Sequence, residues 1–284
     1  MSINAGPAGP VGRPEAAAGT QAGTGPSAAA PATIDPAVQT VDLTLGFGQV
    51  NVLNDISLNF QRGAVTALLG PTGSGKTTFL RTLNRMNDRV DGYRRRGDVL
   101  LDGSSIFNGG TDPMALRRRV GMVFQRPNPF PMSIMDNVVA GVRAHRMAPR
   151  SELKQIAEQR LSEVGLLDAV SKRLTDSPFR LSGGQQQLLC LARTLAVDPD
   201  VLLLDEPTSS LDPIATESIE TLIRDLTPRL TIVVITHNLA QARRVADRTA
   251  FFNQGRLVEC GETGQFFEHP AEEETARYVA GGFG

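Results

Sequence analysis

Gly70-Pro71-Thr72-Gly73-Ser74-Gly75-Lys76-Thr77 carries the clearest chemistry in the chain. It fits G-x-x-x-x-G-K-[ST], a spacing whose glycines let the backbone curl closely around phosphate. The N–H groups of such a curl and of the helical turn that follows converge on one spot and favour an anion there. Lys76 adds a mobile positive charge for β- and γ-phosphates, and Thr77 a hydroxyl for Mg²⁺. With Thr78 in the same turn, Gly70 through Thr78 read as the residues that bind a nucleoside triphosphate. A second chemical point is Asp205-Glu206, two carboxylates after the apolar run Val201-Leu202-Leu203-Leu204. Carboxylates at the end of a buried strand are costly unless a cation or water sits beside them. Asp205 suits a Mg²⁺ site. Glu206 points another way and suits a base that orients or deprotonates water.

Two more polar positions fall where strands end. Gln125 follows Val120-Gly121-Met122-Val123-Phe124, and His237 follows Thr231-Ile232-Val233-Val234-Ile235. Open α/β sheets place their ligands at that edge, which favours a functional reading of a histidine that would otherwise be structural. Ser182-Gly183-Gly184-Gln185 opens a helix, with Ser182 as its cap and glycines that leave backbone N–H groups accessible. Phe47, between Gly46 and Gly48, suits either stacking on an adenine ring or packing in a turn, and composition does not choose between them.

The elements around these residues read as an α/β fold. Ala64–Leu69 is a strand and Thr78–Leu83 a helix, the flanks that a phosphate loop requires. Val41, Leu43 and Leu45 alternate, as do Ile56, Leu58 and Phe60, so antiparallel strands with one buried face precede the loop. Residues 126–196 have little strand character and form a helical subdomain, with helices expected over 133–142 and 151–164, the second starting at Ser151. Arg126-Pro127-Asn128-Pro129-Phe130-Pro131 cannot be helical. Gln254-Gly255 joins two strands as a hairpin. Arg94–Arg96 and Arg117–Arg119 read as solvated turns. Residues 1–38, rich in Ala, Gly and Pro, read as a disordered tail ahead of a 39–284 domain.

The totals narrow the function classes. A net charge of −1 over 284 residues argues against a nucleic-acid binder. No apolar run approaches the roughly 18 residues of a membrane span. Cys190 and Cys260 lack metal spacing and read as reduced thiols.

Taken in order, these motifs resemble the ATP-binding subunit of ABC transporters. The phosphate loop at 70–77, Gln125, Leu181-Ser182-Gly183-Gly184-Gln185, Asp205-Glu206, Ser210-Leu211-Asp212 and His237 stand in that family's sequence. Gln125–Ile134, Leu83–Asp88, Gln185-Gln186-Gln187, Asp212–Thr216 and the closing Gly282-Phe283-Gly284 are similar to its phosphate-importer ATPases. Leu188 departs from the usual Arg, and Phe47 from a frequent Tyr that offers the same stacking face.

The resemblance implies a P-loop NTPase core with an antiparallel β subdomain and a helical subdomain. It implies hydrolysis of ATP with Mg²⁺ to drive uptake of inorganic phosphate, or else of another small solute. Glu206, His237 and Gln125 would be catalytic. Thr77, Gln125 and Asp205 would serve the metal. Phe47, Gly70–Thr78 and, from a second copy, Ser182, Gly183, Gly184 and Gln185 would hold the nucleotide. Partners would be that second copy, two membrane permease subunits contacting residues 126–180 and, indirectly, an extracytoplasmic phosphate-binding protein, with no nucleic acid. The place of action would be the cytoplasmic face of the membrane, peripherally. A soluble ATPase of the same type working on DNA or ribosomes would carry coiled-coil insertions or tandem cassettes. This sequence has one cassette and no heptad run.

Overall fold

The computed structural model describes residues 36–282, and the tail expected over 1–38 lies outside them apart from its last three residues. Pro36, Ala37 and Val38 are not tail: they open the first strand, with Ala37 and Val38 buried. That strand, β1 (Pro36–Phe47), pairs antiparallel with β2 (Val50–Gln61). β3 (Val65–Leu69) then runs into the glycine loop and α1 (Lys76–Thr82). β4 (Tyr93–Leu101) returns to β1, and the short β5 (Ser104–Ser105) pairs with β4. α2 (Pro113–Arg119) leads to β6 (Val120–Val123). A run of helices follows: α3 (Ile134–Ala144), α4 (Leu153–Glu163), α5 (Leu167–Val170) and α6 (Gly183–Leu195). The chain closes with β7 (Val201–Asp205), α7 (Pro213–Leu226), β8 (Thr231–Ile235), α8 (Leu239–Val245), β9 (Arg248–Asn253), β10 (Arg256–Glu262), α9 (Thr263–Glu268) and α10 (Glu273–Val279).

Among the described residues the strands form two sheets, β2-β1-β4-β5 and β10-β9-β3-β8-β7-β6. In the larger, β9, β3, β8, β7 and β6 are parallel, and β10 is an antiparallel edge. β3, β7 and β8 are buried along their whole length, as unbroken apolar runs covered on both faces must be. Because these strands are parallel, the ends of β3, β8, β7 and β6 fall side by side at one edge.

α1 is held between the two sheets. Phe79, fully buried, meets Phe60 of β2 at 6.1 Å and Phe252 of β9 at 5.1 Å between ring centroids. Burial of such a ring stabilises by about 1.5–3 kcal/mol, so the helix behind the phosphate loop is fixed by packing rather than by its seven-residue length. A second core joins the other face of the larger sheet to the helical subdomain through Ile134, Val138, Leu161 and Leu189. Leu188 packs against that same core.

Several local expectations shift. Asp42 adopts a positive φ of 47° and the β1–β2 register slips between Thr40 and Leu43. This bulge turns Val41 outward while Leu43 and Leu45 stay buried, so the alternation breaks at its first member. Ser133 caps α3 by accepting from the Asp136 N–H, but α4 begins at Leu153 without a side-chain cap from Ser151. Arg94–Arg96 lie in β4, not in a turn, and Arg117–Arg119 form the last turn of α2. There Arg119 binds Asp102 and Asp200, and Arg117 donates to the carbonyls of Asn84 and Arg85. The hairpin at Gln254-Gly255 is as expected, with φ of 47° and 74° at its two central residues. Both cysteines are free. No helix among the described residues is long and apolar enough to cross a membrane.

Candidate functional site

The loop after β3 surrounds a cavity of about 270 Å³ walled by Thr72, Gly73, Gly75, Lys76, Thr77 and Thr78, with Val52, Glu206 and His237 completing the wall. Gly75 has φ 97°, and a Cβ there would lie 2.5 Å from the Leu53 side chain, so only glycine fits between the loop and β2. Lys76 is 5% exposed and folds back on its own loop. Its Nζ donates to the carbonyls of Gly70 (2.8 Å) and Pro71 (2.9 Å) and to Ser74 Oγ (3.2 Å). Burial pushes its ammonium down to about 8, against the upward pull of the Glu206 and Asp205 carboxylates.

The neighbouring strand ends supply the rest. Thr77 Oγ1 donates to Asp205 Oδ1 at 3.0 Å. Arg81, one turn further along α1, reaches Asp205 Oδ2 at 3.7 Å. Even so, burial holds the Asp205 carboxyl above the usual range. A buried carboxylate beside a hydroxyl offers the oxygen donors a hard divalent cation takes, so Thr77 and Asp205 fit Mg²⁺.

Glu206 is gripped from both sides. Gln125 Nε2 donates to its Oε2 at 2.9 Å, and His237 Nε2 lies 2.5 Å from its Oε1. The Glu206 backbone has φ 48°, uncommon for a residue with a Cβ, and its N–H donates to the Ile235 carbonyl at 3.1 Å. Such a conformation costs of order 1–3 kcal/mol and persists where the surroundings over-determine it. Here it turns the side chain toward the cavity that Lys76 lines.

The segments bearing Glu206 and His237 are also joined behind the site. Buried Glu220 of α7 accepts from Arg244 Nε and Nη2 at 2.8 and 2.7 Å. These bonds hold its carboxyl below the usual range. Gln241 Nε2 donates to Glu220 (3.2 Å) and to Thr208 Oγ1 (2.9 Å).

Beyond Gln125, the proline-rich stretch is clasped by Arg193 of α6. Its Nη1 and Nη2 donate to the Asn128 carbonyl (3.0 Å) and Oδ1 (2.8 Å), and its guanidinium lies 4.2 Å from the Phe130 ring centre. Next to this clasp, between sheet and helical subdomain, lies an apolar groove of about 520 Å³ that includes Met86, Met114, Met122, Phe124 and Phe130.

The structure thus brings Gly70–Thr78, Gln125, Asp205, Glu206 and His237 together. It does not bring Ser182, Gly183, Gly184 and Gln185 into that cavity, and Phe47 is not in its wall. Phe47 sits against Tyr93, ring centroids 5.8 Å apart. Ser182 and Gly183 are exposed, and Ser182 with Gln185 forms a complete capping box at the start of α6. Sequence reasoning missed Val52, which enters from the other sheet and leaves no local signal. It also missed Arg81, although helical spacing from Thr77 puts it on the same face.

Comparison with known proteins places the chain in a family and a fold. The profile of the family described as "ABC transporter" matches residues 53–209. The phosphate import ATP-binding protein PstB 2 of Mycobacterium tuberculosis is 68% identical over 246 residues, covering 87% of this chain and 89% of its own. The phosphate import ATP-binding protein PstB of Mycobacterium intracellulare is 70% identical over 243 residues, 86% of this chain and 85% of its own. Among solved structures, cbiO1 from Clostridium perfringens, part of the ABC transporter complex cbiONQ, superimposes with a TM-score of 0.71 at 29% identity, covering 86% of this chain and 94% of that one. A bacterial Atm1-family ABC exporter with ATP bound gives a TM-score of 0.73 at 25% identity, covering 88% of this chain and 42% of that one.

Proposed function

The chain belongs to the ABC transporter family and has its ATP-hydrolysing domain, and on that premise we propose that it is the subunit that powers import of inorganic phosphate. The observation that carries the solute is the 68–70% identity with phosphate import ATP-binding proteins over most of both chains. No residue here need touch phosphate as cargo, because the work of this subunit is done at the ATP.

The roles follow from the site. Gly70–Thr78 hold the triphosphate, and Lys76 exchanges the loop's carbonyls for β- and γ-phosphate oxygens. Thr77 and Asp205 hold Mg²⁺, which when bound neutralises phosphate charge. Glu206 orients the attacking water and takes its proton as the water oxygen bonds to the γ-phosphorus and the bond from that phosphorus to the β–γ bridging oxygen breaks, leaving ADP and phosphate. Gln125 and His237, which both hold Glu206, turn toward the metal or water and toward the γ-phosphate. Phe47 stacks on adenine.

The nucleotide is completed by a second copy packed head to tail. The N-terminal turn of α6, Ser182-Gly183-Gly184-Gln185, exposed at Ser182 and Gly183, faces the γ-phosphate of the opposite copy. ATP then closes the pair and hydrolysis loosens it. Residues 126–180 of the helical subdomain engage two permease subunits. The apolar groove beside Gln125 takes a permease element, which accounts for the exposure of Met114 (56%) and Phe130 (41%). The subunit sits peripherally at the cytoplasmic face, and an extracytoplasmic protein delivers phosphate from the other side. Nucleic acid has no part.

Uptake of labelled phosphate in cells lacking this chain tests the reading. Uptake is lost, returns with the wild-type chain and does not return with Glu206→Gln. Normal phosphate uptake without the chain, alongside loss of another solute's uptake, would reassign the cargo.

A further inference from the structure

The last helix lies 208 residues from the phosphate loop in sequence, yet it touches the loop. α10 packs by burying Thr275 completely. Glu274 accepts from Asn253 Nδ2 at the end of β9. One turn on, the Tyr278 ring stacks on Phe251, centroids 4.6 Å apart and planes 22° from parallel. Phe251 is the β9 residue paired with Leu69, the last residue before the loop. From that position the Tyr278 hydroxyl oxygen accepts from the Gly70 N–H at 3.2 Å.

Gly70 is where the loop leaves the sheet. Its φ is 146°, and a Cβ there would sit 2.0 Å from the Phe252 carbonyl oxygen. Its own carbonyl accepts from Lys76 at 2.8 Å. Gly70 is therefore held on its amide side by Tyr278 and on its carbonyl side by the lysine that serves the nucleotide. Burial raises the Tyr278 phenol above its ordinary range, so the group accepting from Gly70 is a neutral hydroxyl.

We propose that Tyr278 is a positioning residue of the ATP site, the hydroxyl that fixes the exit angle of the phosphate loop. The proposal rests on ATP binding at 70–78 and adds the C-terminal helix to the groups that prepare it. A loop already held in its binding curl needs less ordering when the triphosphate arrives. Loss of the hydroxyl therefore raises the cost of binding. The groups that handle water, Glu206, Gln125 and His237, lie at other strand ends and keep their geometry.

The test is steady-state ATP hydrolysis by the full chain with Tyr278→Phe, which keeps the stack and removes only the hydroxyl. One neutral hydrogen bond corresponds to a rise of about twofold to tenfold in KM for ATP, with kcat unchanged and the melting temperature lowered by no more than a few degrees. Arg277→Ala, an exposed residue of the same helix, serves as the control and leaves KM as it is. A KM for Tyr278→Phe within twofold of the parent overturns the proposal. So does a fall in kcat accompanying the KM change, or an equal KM change in Arg277→Ala. Lys76→Ala, measured in parallel, separates the two readings. If it abolishes ATP binding while Tyr278→Phe changes nothing, the site stands and the positioning role falls. If it binds ATP normally, the site assignment itself falls.

Discussion

Gln125 Nε2 lies 2.9 Å from Glu206 Oε2, although 81 residues separate the two in the chain. One residue follows β6 and the other follows β7, neighbouring parallel strands that end at the same edge. The contact ties the carboxylate proposed to handle water to the start of the segment proposed to face the permease.

Glu206→Gln preserves the shape of this contact and removes the base. We expect ATP hydrolysis to fall by about 10²–10⁴-fold while ATP is still bound. The ATP-bound pair of chains should accumulate and elute as a dimer on size exclusion. Turnover at the parental rate would remove Glu206 from its role.

Lys76 gives the site a pH dependence. Its charged form is the one that pairs with the triphosphate, and in the free protein it titrates at about 8. Well below pH 8 the lysine is charged both free and bound, so affinity is level. Above pH 8 the free protein has lost a proton that the complex holds. Binding then takes up a proton, and affinity falls toward tenfold per pH unit. Calorimetric titration with ATP at pH 8.5 in buffers of different ionisation enthalpy should record that uptake. In Lys76→Ala both the affinity and its pH dependence should be lost.

Gly70→Ala forces a Cβ onto the Phe252 carbonyl oxygen at a φ of 146°. The expected loss is about 1–3 kcal/mol of stability, the range for a strained backbone position, with weakened ATP binding. Urea unfolding with and without ATP measures both. Unchanged stability would mean that β9 can move away from the loop.

Arg193→Ala removes the guanidinium's bonds to Asn128 and its contact with the Phe130 ring without touching Lys76, Asp205 or Glu206. We expect basal ATP hydrolysis by the isolated chain to stay within about twofold. Phosphate uptake in cells should fall far more, because the groove beside the proline-rich stretch loses its wall. A charged hydrogen-bonded side chain of this kind also contributes about 1.5–3 kcal/mol to stability, so the expressed level must be matched. Equal losses of hydrolysis and uptake would contradict a coupling role for this clasp.

The sequence was most legible where function is written in short spacings. The glycine loop, Asp205-Glu206 and the cap at Ser182 each set their geometry within a few residues, and apolar runs flanking them identify the strands. Parallel pairing then gathers Gln125, Glu206 and His237 at one edge. What stayed hidden depends on partners distant in the chain. Val41 turns outward because Asp42 makes a bulge against β2. The start of β1 at Pro36 follows from its pairing with Gln61, which composition does not signal. Arg94–Arg96 are strand residues because β1 offers them a ladder. Val52 joins the phosphate cavity only when the second sheet folds over the first, and Tyr278 meets Gly70 only when the last helix returns.

The bonds from Gln241 to Thr208 and Glu220, with the grip of Arg244 on Glu220, weld the stretch after Glu206 to the helix after His237. Those two arms of the site must therefore travel as one stiff bracket. On the other side of Glu206 the side-chain link is the amide of Gln125, and the proline-rich stretch beyond it is fastened to α6 by Arg193 rather than to the bracket. On the proposed reading, a change in what occupies the cavity would reach the helical lobe through Gln125 while the bracket behind Glu206 keeps its shape.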